Sequence, residues 1–250
     1  MKKKNILIVI PARAGSKEVR NKNIININGK PLIAYCIEAA LKAKKFFYKE
    51  TISRGNDIAS ITLLVSTDSL KIAKIAKKFG AEVPFLRPKH LATDTAPTLP
   101  VLKHAIKFIE DNEKFKVDLV MLLQATNPLT NANDIIKCIK MMKKKVDSVV
   151  SVREANECSD MYLNKIRNKF LLPMKKVKKF VRRQDIFPNI YKLSGNIFLT
   201  KKKFIINSEN NYFFGGKTLP YIVDKKKSLE IDEKFDLDLV RLILERWFSK

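Results

Sequence analysis

Five consecutive apolar residues, Ile6-Leu7-Ile8-Val9-Ile10, stop at Pro11 and open into a loop of small and basic residues. An unbroken apolar run of this length, four of its five residues β-branched, predicts a strand buried on both faces, not one with a wet side. Such a strand belongs in a parallel sheet covered by helices on both sides, which restricts the chain to an α/β architecture. The loop holds Ala12, Arg13, Ala14, Gly15, Ser16, Lys17, Arg20, Lys22 and Asn23. A loop leaving the carboxyl end of a parallel strand is where open α/β sheets bind ligands. Backbone freedom at Gly15 next to several positive charges describes a cradle for a polyphosphate. On charge alone the loop reads equally well as solvated surface in a lysine-rich protein.

The 250 residues suit one α/β domain with an elaboration, and the 46% apolar content fills a sizeable core. No apolar run approaches the ~20 residues of a membrane span. Met1-Lys2-Lys3-Lys4 resembles the start of a signal peptide, but the apolar segment after it is short and ends at Pro11 and Arg13. The expectation is a cytoplasmic protein with no membrane partner. Cys36, Cys138 and Cys158 lack metal-type spacing, and an odd number makes a poor disulfide framework. The net charge of +25 raises a nucleic-acid reading. The excess is mostly lysine spread along the whole chain, and aromatics do not interleave with it as a stacking platform requires. The charge does favour anionic substrates.

Further along, Pro31 to Lys44 carries helical spacing, and Phe46 to Ser60 reads as a loop or insertion. Ile61 to Val65 is a second buried strand ending at Ser66-Thr67-Asp68. A helix from about Ser69 to Phe79 stops at Gly80. Pro84 marks Val83 to Leu86 as an edge strand or a connection. Arg87 to Pro100 is a polar loop, and Val101 to Asp111 is helical. Leu119 to Leu123 is a third buried strand, ending at Gln124-Ala125-Thr126-Asn127-Pro128. A helix capped by Asn131 or Asn133 runs to about Lys144, and Ser148 to Val152 is a fourth strand. Glu154 to Lys192 is basic, lacks periodicity, and is too short to bury a core of its own. Gly195 to Leu199 and Leu219 to Val223 are extended, and Asp236 to Trp247 is a terminal amphipathic helix. This predicts a Rossmann-like, mostly parallel sheet flanked by helices. It is one domain over residues 1–250, with an excursion at about 154–192. Three polar strand tips, at Arg13, Asp68 and Thr126, then meet on one sheet edge.

Ile10 to Lys17, Lys22-Asn23-Ile24 and Gly29-Lys30-Pro31-Leu32 together resemble the signature of the CMP-sialic acid synthetase family. Ser66-Thr67-Asp68, Arg87-Pro88, Leu91-Ala92-Thr93-Asp94, Gln124 to Leu129, Arg183-Gln184 and Ile231-Asp232 follow in the family's order. The resemblance implies a fold of the nucleotidyltransferase type. It also implies transfer of CMP from CTP to a nine-carbon sialic-acid-like sugar acid, with release of pyrophosphate. That chemistry gathers negative charge on phosphoryl oxygens, so it needs positioned cations and N–H donors. Arg13, Lys17 and Lys22 are the expected catalytic cations. The expected nucleotide-binding set is Ala12, Arg13, Ala14, Gly15, Ser16, Lys22, Asn23, Arg87, Asp94, Gln124 and Thr126. The Gln124 amide carries the donor and acceptor that reading a cytosine edge requires. Asp68 reads either as a helix cap or as a ligand contact, and Arg87 either as a binder or as a structural ion-pair partner.

The resemblance further implies Mg2+ held by Asp232 and Glu230, where relatives carry two aspartates one residue apart. Here the first carboxylate is one methylene longer, and octahedral magnesium tolerates little misplacement. Gln124, Arg183 and Lys192 are the expected sugar-binding residues. The chain departs from the family's pattern at Ala125, at Asn127 and at Ser194-Gly195-Asn196. A homodimer built through the excursion is the expected assembly, with CTP and the acidic sugar as small-molecule partners and no nucleic acid. The alternatives are a Kdo-type or other sugar nucleotidyltransferase and, from a different class, a basic nucleic-acid-binding protein. A dinucleotide-dependent oxidoreductase is disfavoured because the first loop has no Gly-x-Gly-x-x-Gly.

Overall fold

A computed structural model of the chain describes residues 3–15, 18–54, 57–159, 162–174, 182–185 and 189–248. The apolar opening run forms β1 (Lys4–Pro11). Ile6, Ile8 and Ile10 point into one core, and Leu7 and Val9 into another on the opposite face. All five are fully buried, each contributing on the order of 1.5–3 kcal/mol, which is why the run shows no alternation. A short hairpin follows, β2 (Asn26–Ile27) and β3 (Lys30–Pro31), and leads into helix α1 (Leu32–Arg54). The next elements are β4 (Ile58–Ser66), α2 (Leu70–Lys78), α3 (Thr98–Asn112), β5 (Leu119–Leu123), α4 (Ala132–Met141) and β6 (Ser148–Glu154).

The excursion carries a hairpin, β7 (Asn164–Arg167) and β8 (Phe170–Pro173), before the chain returns as β9 (Tyr191–Lys201). The fold closes with α5 (Lys202–Ile206), β10 (Thr218–Ile222) and α6 (Lys234–Phe248). Six strands form the main sheet in the order β10-β6-β9-β5-β1-β4. β9 is antiparallel to both its neighbours, and the other pairings are parallel. The sheet is therefore mostly parallel, as the alternating elements predict. α1, α2 and α4 cover one face and α3 and α5 the other.

Two boundaries differ most from expectation. The segment Phe46 to Ser60 is not a loop: α1 runs through it to Arg54. Ala39, Ala40, Ala43 and Phe47 continue a buried stripe, while Lys44, Lys45 and Lys49 dilute the apolar signal. Likewise β4 starts at Ile58, three residues before the apolar run makes it visible. Other readings agree with the structure. Asn131 caps α4 in a reciprocal box with Asp134, and Gly80, at φ +91, ends the turn after α2. The segment containing Pro84 follows the free edge of β4 through single bridges at Glu82 and Leu86. α6 docks Leu237, Val240 and Leu244 onto Leu32, Tyr35, Leu129 and Ile231. That packing fixes the segment just ahead of α6, where Glu230 and Asp232 lie.

Candidate active site

The carboxyl ends of β1 and β5 border one cleft of about 690 Å³. Pro11, Arg13, Lys22 and Asn23 line it from the first loop, and Arg87, Asp94 and Thr98 from the segment beyond β4. Gln124, Ala125 and Thr126 come from the tip of β5, and Glu230 and Asp232 from the segment ahead of α6. Two of the three predicted strand tips, those of β1 and β5, therefore meet at the cleft, and the tip of β4 lies beside that of β1. Ser16 and Lys17 lie outside the described residues.

The first loop is held from three sides. The Ala12 N–H donates to the Ser66 carbonyl at 2.9 Å, and the Ala14 N–H donates to the Asp68 carboxylate at 2.9 Å. The buried Asn23 amide donates to the Arg13 carbonyl, also at 2.9 Å. Asn23 sits in a short turn that follows Asn21, whose left-handed backbone (φ 56) suits asparagine. The Arg13 guanidinium pairs with the Asp94 carboxylate. The Lys22 ammonium donates to the Ile231 carbonyl at 2.6 Å and lies 3.1 Å from Asp232 Oδ1.

Asp68 is not the cap of α2; the Ser69 hydroxyl accepts from the Ile72 N–H and fills that place. Asp68 instead braces the loop at Ala14. Arg87 is buried, with its Nε 3.0 Å from the Ser66 hydroxyl and one terminal nitrogen on the Ser66 carbonyl. Burial lowers its pKa to about 10, partly countered by Asp68 and reinforced by Arg13. It stays charged at neutral pH and sets the end of β4 against the loop that bears Asp94. Its bonds run to the scaffold, while its surface still borders the cleft.

At the tip of β5 the Thr126 hydroxyl lies 3.0 Å from Glu230 Oε1 and 3.3 Å from Gln124 Oε1. A hydroxyl has one proton, so the nearer Glu230 oxygen takes it in preference. The Ile231 N–H donates to the Thr126 carbonyl at 2.9 Å, which docks the acidic segment on the strand tip. Glu230 is raised above the ordinary carboxylate range, first by burial and then by the charge of Asp232. Behind Glu230 the backbone of Gly195 has φ +74, and a Cβ there would stand 3.0 Å from Glu230 Oε2. The extra methylene of Glu230 is thus accommodated against a glycine. Asn127, wholly buried, bridges the carbonyls of Ser194 and Leu229 at 3.3 and 3.4 Å. The Cys36 thiol donates beneath the same turn, to the Gln124 carbonyl at 3.2 Å. Burial raises that thiol to about 12, so it is a packed hydrogen-bond donor and not a nucleophile.

Of the expected sugar-binding residues, Gln124 lines this cleft and Lys192 does not. Lys192 is exposed near the start of β9, opposite Arg153 of β6. The end of β5 pairs with Ile197, so Lys192 lies past the ligand edge of the sheet, outside the cleft lining. Arg183 begins a short 3-10 turn, and its side chain lies outside the described residues. Sequence reasoning gave no role to Asn127 or Gly195. Asn127 was visible as a departure from the family pattern and Gly195 only through its altered neighbours Ser194 and Asn196, and the contact each makes depends on strands far apart in the chain.

A mostly parallel sheet with cations, an amide and two carboxylates around its ligand edge defines the nucleotidyltransferase class. The chain belongs to the cytidylyltransferase family, whose model matches residues 7–240. It is 34% identical over 245 residues to an N-acylneuraminate cytidylyltransferase of Escherichia coli O18:K1:H7, covering 96% of this chain and 52% of that protein. The chain thus spans about half the length of that relative. It is also 34% identical over 245 residues to a CMP-N,N'-diacetyllegionaminic acid synthase of Legionella pneumophila, covering 96% of each chain. Among solved structures, a CMP:2-keto-3-deoxy-manno-octonic acid synthetase complexed with CTP superposes with a TM-score of 0.64 at 17% identity, covering 97% of this chain and 99% of that one. That likeness is one of fold.

Proposed function

We propose that this chain transfers CMP from CTP to a nine-carbon nonulosonic acid of the sialic, legionaminic or pseudaminic kind and releases pyrophosphate. One observation carries the reading. The first-loop cations, the Gln124 amide and the Glu230–Asp232 carboxylates border one cleft in a member of the cytidylyltransferase family. Relatives named for acylneuraminate, legionaminic and pseudaminic acids support that substrate class. The Kdo-type alternative rests on likeness of fold alone.

In this mechanism a sugar hydroxyl oxygen bonds to the α-phosphorus of CTP as the bond to the bridging oxygen breaks, the hydroxyl proton passes to solvent, and pyrophosphate departs. Arg13 and Lys22 neutralise charge on the phosphates, the guanidinium as a planar fork and the ammonium as a point charge. Gln124 offers a donor and an acceptor to the cytosine edge. Asp232 and Glu230 would hold Mg2+, which supplies charge neutralisation on the triphosphate when bound. The donors fit such an ion. Two carboxylates one residue apart face the cleft, burial and the charge of Asp232 raise the pKa of Glu230, and one ammonium is their only close cation among the described residues. Arg183 and Lys192 are the candidates for the sugar carboxylate.

The exposed apolar side chains of Ile166, Phe170, Leu171, Leu172 and Met174 support a homodimer formed through the excursion. Sedimentation at micromolar concentration tests it: a dimer is expected, and a fully active monomer would end the idea. Three free cysteines suit a reducing cytoplasm. Pyrophosphate release from CTP in the presence of nonulosonic acids tests the proposed activity itself.

A further inference from the structure

Three donors of the phosphate cradle are engaged by carboxylates of the chain itself. The Arg13 guanidinium is on Asp94, the Ala14 N–H is on Asp68, and the Lys22 ammonium is on Asp232. These acids come from three separate segments: the tip of β4, the loop before α3 and the segment before α6. Each carboxylate oxygen engages a donor that a phosphoryl oxygen also accepts from. Guanidinium and ammonium groups accept either anion with much the same geometry.

We propose that Asp94 is an internal competitor for this cradle. A polyphosphate enters by exchange, taking Arg13 from Asp94 while Lys22 and the Ala14 N–H pass from Asp232 and Asp68 to other oxygens. This rests on reading the cleft as a nucleotide site, and it gives Asp94 the role of a specificity-determining competitor, not of a direct nucleotide contact. The pair is built for exchange. Arg13 and Asp94 side chains keep 30% and 39% of their surface, so solvent screens the attraction. Asp94 lies in a loop, outside every helix and strand, so giving up Arg13 breaks no sheet pairing. A triphosphate on the same guanidinium repels this carboxylate, which favours its release.

Exchange also explains discrimination. An anion with one phosphoryl group replaces one carboxylate and gains little. A polyphosphate replaces several at once and gains at each. Removing the carboxylate of Asp94 removes the competitor, so anions should bind more tightly.

The test is calorimetric titration without divalent metal, using inorganic pyrophosphate and then CTP. The proteins are wild type, Asp94→Asn, Asp94→Ser and Asp94→Glu, each first checked for an unchanged melting temperature. Asp94→Asn and Asp94→Ser should bind pyrophosphate roughly three- to ten-fold more tightly than wild type. Asp94→Glu, which keeps the charge, should stay within about two-fold. Equal or weaker binding by both carboxylate-free variants overturns the proposal, as does failure of any form to bind pyrophosphate. If CTP binds to every form but no more tightly without the carboxylate, the exchange falls and the nucleotide reading stands. If pyrophosphate tightens as expected while CTP binds to no form, the exchange stands and the cytidylyl reading falls.

Discussion

The Lys22 ammonium reaches across the cleft to Asp232 Oδ1 at 3.1 Å and to the neighbouring Ile231 carbonyl at 2.6 Å, joining residues 210 apart in sequence. The first loop and the acidic segment are thereby two walls of one site. The Lys22 side chain is mostly buried and that of Asp232 mostly exposed, so the lysine is fixed and the acid is accessible. An accessible carboxylate beside a fixed cation is well placed to meet a metal-bearing triphosphate.

Asp232→Asn should therefore cost activity and little stability. An exposed ion pair contributes up to about 1 kcal/mol, so urea denaturation should shift by no more than that. Magnesium-dependent turnover should fall by about 100-fold or more, as the ligand loses its charge. Unchanged turnover would remove Asp232 from the metal site.

Gly195→Ala addresses the floor under Glu230. The left-handed backbone there disfavours a side chain by about 1–2 kcal/mol. The added methyl would also press on Glu230 Oε2 and move the carboxylate. The variant should lose stability of that order in urea titration and lose turnover out of proportion to it. A variant that is destabilised but as active as wild type would show that Glu230 has no part in the reaction.

His104 gives the chain a pH-dependent stability. It lies on α3 with its ring edge against Phe85, and its Nδ1 is buried without a hydrogen-bond partner. Burial first, then Arg87 and His90, lowers its pKa below the ordinary 6.5. The unfolded chain then takes up the proton at higher pH than the folded one. Its contribution is complete above pH 6.5 and is lost as the pH falls towards the depressed folded value. Melting temperatures should drop between pH 7 and pH 5, and His104→Leu should flatten that part of the curve. An identical slope in the variant would assign the effect elsewhere.

The parallel core was legible because burial on both faces leaves unbroken apolar runs. Leu119 to Leu123 matches β5 residue for residue. The C-terminal turns of α1 were not legible, since lysines face solvent around a stripe reduced to Ala43 and Phe47. Nor was the place of β9. Its sequence reads as extended, but insertion antiparallel between β5 and β6 is a matter of long-range pairing that no local period encodes. At the site, residue types were legible and partners were not. Asp68 was visible as a polar strand tip, yet its bond to the Ala14 N–H exists only once β1 and β4 lie side by side. Arg87 was visible as a cation, but its attachment to Ser66 depends on the chain following the edge of β4.

The central claim is best tested by measuring pyrophosphate release from each of the four nucleoside triphosphates with Mg2+ and a panel of nonulosonic acids. Release with CTP and at least one such acid, weak release with the other triphosphates and none without the acid is the expected result. No release with CTP and any nonulosonic acid would contradict the account.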